Sequence, residues 1–246
     1  MSDDPDRRAL ALLDGTRLDA ATLPAFRDGA LAAEAAGVTH TLRRYPGHPT
    51  VSLPRPRPRR LTALDATLLG RRSVRHLGAR IPSAKTLGAL LGLGFGVHET
   101  VGRGPTPSAG GLQSLSLYLA VLGDGWLAPG AWHYDREAHA LAHLDAPTDP
   151  AIWRGLLVSA DQFVGGALLW ILVGDGRAIG RKYGDRAARF LLLEAGHLMQ
   201  NLCLLSHSLG LCTLPLGGVL DDRMARALTL LPTDRVLYAG VCGPPA

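Results

Sequence analysis

Lys182-Tyr183-Gly184-Asp185-Arg186 opens into a long apolar run that ends at Leu211, and the rest of the chain is read outward from it. A glycine-punctuated loop carrying an amine and a phenol gives way to the most hydrophobic helix, from about Asp185 to Leu209, closed by Gly210. Apolar residues nearly encircle that helix, so it must be surrounded by protein. Glu194, His197, Asn201 and Ser208 fall on one stripe of it. Buried polar groups need partners, so the stripe implies a second helix, a subunit contact or a bound polar ligand. Glu194-x-x-His197 is also a spacing of carboxylate-bridged metal bundles. No second copy exists, so it reads as a buried polar pair and no metal is expected. A lysine beside an apolar helix can serve as a base and a tyrosine can donate or relay a proton. Taken alone, the pair still reads as an ordinary loop.

Composition narrows the field. A chain of 246 residues, 47% apolar and 19% charged, can bury a sizeable core as one large domain. The net charge of +5 comes from a few arginine clusters, and only 5% of residues are aromatic, so a nucleic-acid platform is not expected. Cys203, Cys212 and Cys242 lack the spacing of a zinc site and read as buried thiols in a reducing compartment. The acidic start, Ser2-Asp3-Asp4-Pro5-Asp6, is no secretory signal, and no apolar run is long enough for a membrane span. A soluble, cytoplasmic protein is expected.

In chain order, Arg7 to Leu13 and Leu23 to Ala36 read as helices and Val38 to Arg44 as a weak strand. Tyr45 to Arg60 holds five prolines interleaved with arginines, an extended connector rather than a packed element. Residues 1–60 are therefore read as a helical extension with a Pro/Arg-rich connector, and 61–246 as the main domain. Helices follow at Thr62 to Leu69 and, capped by Ser83, at Ala84 to Leu93. Leu115 to Leu122 reads as a strand, Ala131 to Asp135 with Ala140 to Leu144 as a hairpin, and Ala167 to Gly174 as a strand buried on both faces. Asp149-Pro150 starts a helix to Val158. Thr213 to Gly218 reads as a turn-rich loop, Asp222 to Leu230 as a helix and Arg235 to Cys242 as a last strand.

Three further segments carry chemistry by residue type. Arg71, Arg72, Ser73 and Arg75 set three guanidinium groups and a hydroxyl within five residues, suited to phosphate oxygens or, equally, to an exposed helix end. Pro107-Ser108-Ala109-Gly110-Gly111 has no large side chain, so a flat ligand could approach its backbone; a plain turn is the simpler reading. Leu216, Gly217 and Gly218 after Pro215 have the same double reading.

Together these segments resemble the FMN-dependent nitroreductase fold family. Lys182-Tyr183-Gly184-Asp185-Arg186, Leu193-Glu194-Ala195-Gly196-His197 and Gln200-Asn201-Leu202 look like its SagB-type branch, which contains thiazole- and oxazole-forming dehydrogenases. The resemblance runs from about Leu64 to Gly243 with its motifs in order. It implies an α+β fold, with a central, mostly antiparallel sheet flanked by helices, as an intertwined homodimer with FMN at the interface. Arg71, Arg72, Ser73 and Arg75 would hold the phosphate and ribityl chain, Pro107, Ser108, Ala109 and Gly110 would line the isoalloxazine, and Leu216, Gly217 and Gly218 would face flavin N5. Lys182 and Tyr183 would be the catalytic pair that dehydrogenates an azoline in a peptide or carrier-bound substrate. The branch usually has tyrosine and proline where this chain has Gln113 and Ser114, which makes those two the substrate-side candidates. An NAD(P)H-dependent nitro or quinone reductase of the same fold, and a non-catalytic subunit of a peptide-modifying complex, are the alternatives.

Overall fold

Strand Leu168–Asp175 (β7) is buried at every position, and the architecture is built on both sides of it. The computed structural model describes residues 43–54, 64–98 and 102–246, with positions 25, 28, 29, 32, 33 and 35–37 before them. The strands are Thr50–Ser52 (β1), His76–Leu77 (β2), Leu115–Val121 (β3), Ala131–Asp135 (β4), Ala140–His143 (β5), Val164–Gly165 (β6), β7, Cys212–Leu216 (β8) and Asp234–Gly243 (β9). The helices are Leu64–Gly70 (α1), Ala84–Phe95 (α2), Pro150–Arg154 (α3), Gly176–Tyr183 (α4), Ala187–Ser208 (α5) and Asp221–Ala227 (α6). Seven strands form one sheet in the order β1-β5-β4-β3-β7-β9-β8, every pairing antiparallel, while β2 and β6 make a small parallel pair.

Both faces of the sheet are covered, which is why its central strands read as continuous apolar runs. Leu117, Leu119, Trp170 and Leu172 meet Leu87, Leu91, Leu198 and Leu202 of α2 and α5 on one face. The alternate residues Tyr118, Leu169, Ile171 and Val241 meet Trp153, Leu156, Met224 and Leu228 on the other. Helix α2 starts where expected, with Ser83 Oγ accepting from Thr86 N–H at 3.2 Å. Asp149 caps α3 in the same way, though that helix stops at Arg154 rather than Val158.

Several expectations are corrected. The connector reading fails at Thr50–Ser52, which pairs with β5 as an edge strand, and Leu53 beyond it is buried. The run Thr213 to Gly218 is not a loop throughout: its first four residues belong to β8, paired with β9 from Cys212↔Gly243 to Leu216↔Ala239. Lys182 and Tyr183 end a helix, α4, that glycines 176 and 180 disguise in sequence. Asp175 caps it, its Oδ1 accepting from Arg177 N–H at 2.9 Å. Helix α5 is not wholly enclosed by its own chain, since Leu192 and Leu193 are more than half exposed. The first expected helix, the arginines at 55–60 and most of the weak strand lie outside the described residues. Among the described residues no helix is long and apolar enough to cross a membrane.

Candidate active site

Two long-range contacts assemble the site at the N-terminal half of α5. Lys182 is buried and Tyr183 half-buried, and both face Gly110. A Cβ placed on Gly110 would lie 3.1 Å from Lys182 Nζ and would collide with Tyr183 Oη. The phenol ring of Tyr183 meets Phe190 of α5 edge-on at 4.8 Å, which fixes its direction. An amine and a hydroxyl that can move protons thus line the same backbone corner, although about seventy residues separate them from it in sequence.

The corner is held from below by the polar stripe of α5. Glu194 Oε1 accepts from Ala109 N–H at 2.6 Å and from Ser108 Oγ at 3.3 Å, and Ser108 Oγ accepts from Gln113 N–H at 2.7 Å. Two turns further on, Asn201 Nδ2 donates to Thr106 Oγ1 and to Gly94 O. The stripe's partners are therefore in the same chain: the loop at Thr106 to Ala109 and, through Gly94 O, the last turn of a second helix, α2. His197 departs from the expected buried pair: it is exposed while Glu194 is buried. Burial raises the Glu194 carboxyl above its usual range, against the opposing pull of the Ala109 and Ser108 hydrogen bonds. Behind the loop, Arg136 is also buried and stacks on Phe95 at 4.3 Å; burial lowers its guanidinium to about 10.

The substrate-side candidates close this end. Gln113 adopts φ 52°, and its Oε1 is buried without a hydrogen-bond partner, as is Ser114 Oγ. Ser114 O accepts from Asp175 N–H at 2.7 Å, tying the loop's exit to the start of α4. Asp175 in turn binds Arg177 through both oxygens. Burial disfavours its charge, but the Arg177 side-chain and backbone N–H groups hold it below the ordinary carboxylate range.

The arginine motif sits elsewhere. Arg71 is half-buried and Arg72, Ser73 and Arg75 are exposed. Arg71, Arg72 and Val74 line a cavity of about 240 Å³ together with Cys203, His207, Cys212 and Thr213, at the far end of α5. Thirteen residues of helix separate His207 from Glu194, about 20 Å. Strand β8 leaves that cavity at Cys212 and Thr213 and delivers Leu216, Gly217 and Gly218 about 14 Å away. Leu216 is buried, Gly217 is exposed with nothing near its missing Cβ, and Gly218 packs against Val158.

These features fit an FMN-like group. Arg71 and Arg72 at the cavity suit a phosphate, and Gly217, with nothing near its missing Cβ, leaves backbone open to a flat ring. Among the described residues no cluster of His, Cys, Asp and Glu could hold a metal ion. Sequence reasoning missed Arg136 and gave Glu194 and Asn201 no loop to hold. The signal for the latter two was present, as polar residues seven apart in an apolar helix.

The model of the nitroreductase family matches residues 68–243. A candidate nitroreductase of Methanocaldococcus jannaschii is 29% identical over 170 residues, 68% of this chain and 84% of that protein. A solved candidate nitroreductase of Ralstonia eutropha JMP134 superposes with a TM-score of 0.70 at 21% identity, covering 84% of this chain and 94% of that one. A chain from the E. coli microcin synthetase McbBCD complex, solved with truncated pro-MccB17 bound, superposes at 0.62 and 20% identity over 93% of this chain and 95% of its own. Proteins with the matched family model are typically flavin-dependent oxidoreductases that bind FMN. With the match spanning most of its length and an antiparallel sheet between helical layers, this chain belongs to the nitroreductase family.

Proposed function

We propose that the protein is an FMN-dependent dehydrogenase that oxidises an azoline, in a peptide-derived substrate, to a thiazole or oxazole. The observation that carries this reading is the placement of Lys182 Nζ and Tyr183 Oη against Gly110 of the Ser108–Gly110 corner. Hydride transfer from a nicotinamide to a flavin does not require a base to take a carbon-bound proton. An azoline oxidation does, since a proton must leave Cα as a hydride leaves Cβ. The likeness to a chain of a synthetase complex solved with a peptide precursor lends support at the level of fold.

Arg71, Arg72, Ser73 and Arg75 would bind the phosphate and ribityl chain, with Pro107, Ser108, Ala109 and Gly110 against one side of the ring. Leu216, Gly217 and Gly218 would present backbone near N5. When bound, FMN supplies the acceptor for the hydride. Lys182 takes the acidic Cα proton, and Tyr183 orients the azoline and relays the proton onward. Gln113 and Ser114 shape the substrate side.

We also propose a homodimer with the cofactor at its interface. The arginine motif and the Lys182-Tyr183 corner occupy opposite ends of α5, and Leu192, Leu193, Leu68 and Leu69 are exposed large apolar groups on α5 and α1. A twofold partner laid antiparallel along α5 would cover them and bring one chain's arginines toward the other's corner.

The test is mass spectrometry of an azoline peptide incubated with FMN-loaded protein in air. Wild type should remove two hydrogens per ring. Lys182→Ala and Tyr183→Phe should retain FMN and turn over about 10²–10⁴-fold more slowly. Variants as active as wild type would refute the proton-transfer role. Steady NAD(P)H consumption with a nitroaromatic and no azoline oxidation would favour the reductase instead, the activity suggested by the names of the M. jannaschii and R. eutropha relatives.

A further inference from the structure

The corner that Lys182 and Tyr183 face is a difficult piece of backbone. Gly110, Gly111 and Gln113 have φ of 59°, 70° and 52°, so three of four consecutive residues lie in the left-handed region. No strand pairs with it, and its own backbone closes only two short turns, Gly111 N–H to Ser108 O and Leu112 N–H to Ala109 O. A backbone of this kind keeps its shape only where its surroundings over-determine it.

One side chain supplies most of that determination. Glu194 receives Ala109 N–H, the peptide immediately before Gly110, and the Ser108 hydroxyl, whose oxygen in turn receives Gln113 N–H. A single buried carboxylate therefore ends a relay that fixes both sides of the corner. Such a group is costly: a leucine would suit this apolar helix better, were the two half-buried donors not left unsatisfied. The cost is moderated by Arg136, a buried positive charge behind the same loop. Asn201, anchoring Thr106 and Gly94, holds the loop's approach but not its corner.

We infer that Glu194 is a positioning residue: its carboxylate, through Ala109 and Ser108, sets the Ser108–Gly110 corner at the separation from Lys182 and Tyr183 that turnover needs. This rests on the proposed dehydrogenase reading for its kinetic consequence and on the hydrogen bonds alone for its structural one. What matters is an oxygen acceptor at this point, so glutamine, which keeps a side-chain carbonyl there, preserves the arrangement. Alanine does not.

The experiment compares FMN-loaded wild type, Glu194→Gln, Glu194→Ala and Ser108→Ala by two readouts. The first is amide hydrogen exchange of the peptide spanning 106–113, which needs no substrate. The second is kcat and KM for azoline oxidation. Glu194→Ala should lose protection in that peptide, with exchange elsewhere unchanged, and lose about 100-fold in kcat at little change in KM. Glu194→Gln should restore both, and Ser108→Ala, which cuts only the Gln113 arm, should fall between. Protection and kcat preserved in Glu194→Ala would overturn the inference, as would a Glu194→Gln as impaired as alanine. If Glu194→Ala does not fold, the glutamine and Ser108→Ala arms decide: wild-type exchange in Ser108→Ala contradicts the relay. A wild type that oxidises no azoline would defeat the functional reading while leaving the exchange comparison to judge the clamp.

Discussion

At Gly110 the missing side chain is a spatial requirement. A methyl group there would collide with the Tyr183 hydroxyl and press on the Lys182 amine, and φ of 59° adds the left-handed penalty of about 1–2 kcal/mol for any L side chain. Gly110→Ala is expected to lower stability by roughly that amount in chemical denaturation. It should also abolish azoline turnover, because the displaced atoms are the proposed proton carriers. Unchanged turnover would mean that the corner does not need its present distance from the pair. The residue types at this site were legible: lysine, tyrosine, serine and glycines are all visible as a string. What they touch was not. Ala109 meets Glu194 across 85 positions, and nothing local in either segment announces the other.

Elements were legible where pattern and boundary signals agreed. Ser83 before α2, Asp149-Pro150 before α3 and the buried run of β7 all appear as read. Helix α4 was hidden because glycines 176 and 180 lower its propensity, while a cap bonded to Arg177 and the packing of Ile179 sustain it. Strands β1 and β8 were hidden by prolines, which edge strands tolerate. Strand β4 illustrates what tertiary context adds. His133 stands between Tyr45 and Tyr118 at ring separations of 5.0 and 5.1 Å, beside Arg43, which pairs with Asp234 at 2.7 Å and donates to Tyr118 Oη at 2.9 Å. The segment before β1 is thereby locked to the core. Burial first, and the Arg43 charge second, depress His133 from 6.5 to about 3. Between those values the unfolded chain binds a proton that the folded one refuses. Stability should therefore be intact above about pH 6.5 and fall on acidification toward pH 3, by up to about 1.4 kcal/mol per pH unit. Denaturation midpoints across that range should show the slope, and His133→Gln should flatten it by that amount; an unchanged slope would assign acid sensitivity elsewhere.

For the whole molecule, sheet, helical layers and family follow from the ordered motifs, but whether one chain or two build the site is a question of assembly. The arginine cavity and the Lys182-Tyr183 corner lie about 20 Å apart along α5. If each site takes its arginines from one chain and its corner from the other, two inactive variants should complement. Unfolding and refolding Arg72→Glu with Lys182→Ala should place one intact site in each hybrid dimer and recover about a quarter of wild-type activity. No recovery, with hybrids present, would place the whole site within one chain. In the proposed reaction, proton removal by the Lys182-Tyr183 pair lets a hydride pass from the azoline to a bound flavin. This step is tested most directly without oxygen, by mixing FMN-loaded protein with a stoichiometric azoline peptide and following flavin absorbance alongside product mass. Wild type should bleach in step with loss of two hydrogens, while Lys182→Ala, equally loaded, should stay yellow over the same time. Bleaching by the variant at the wild-type rate, or no bleaching by wild type with any azoline peptide, would contradict it.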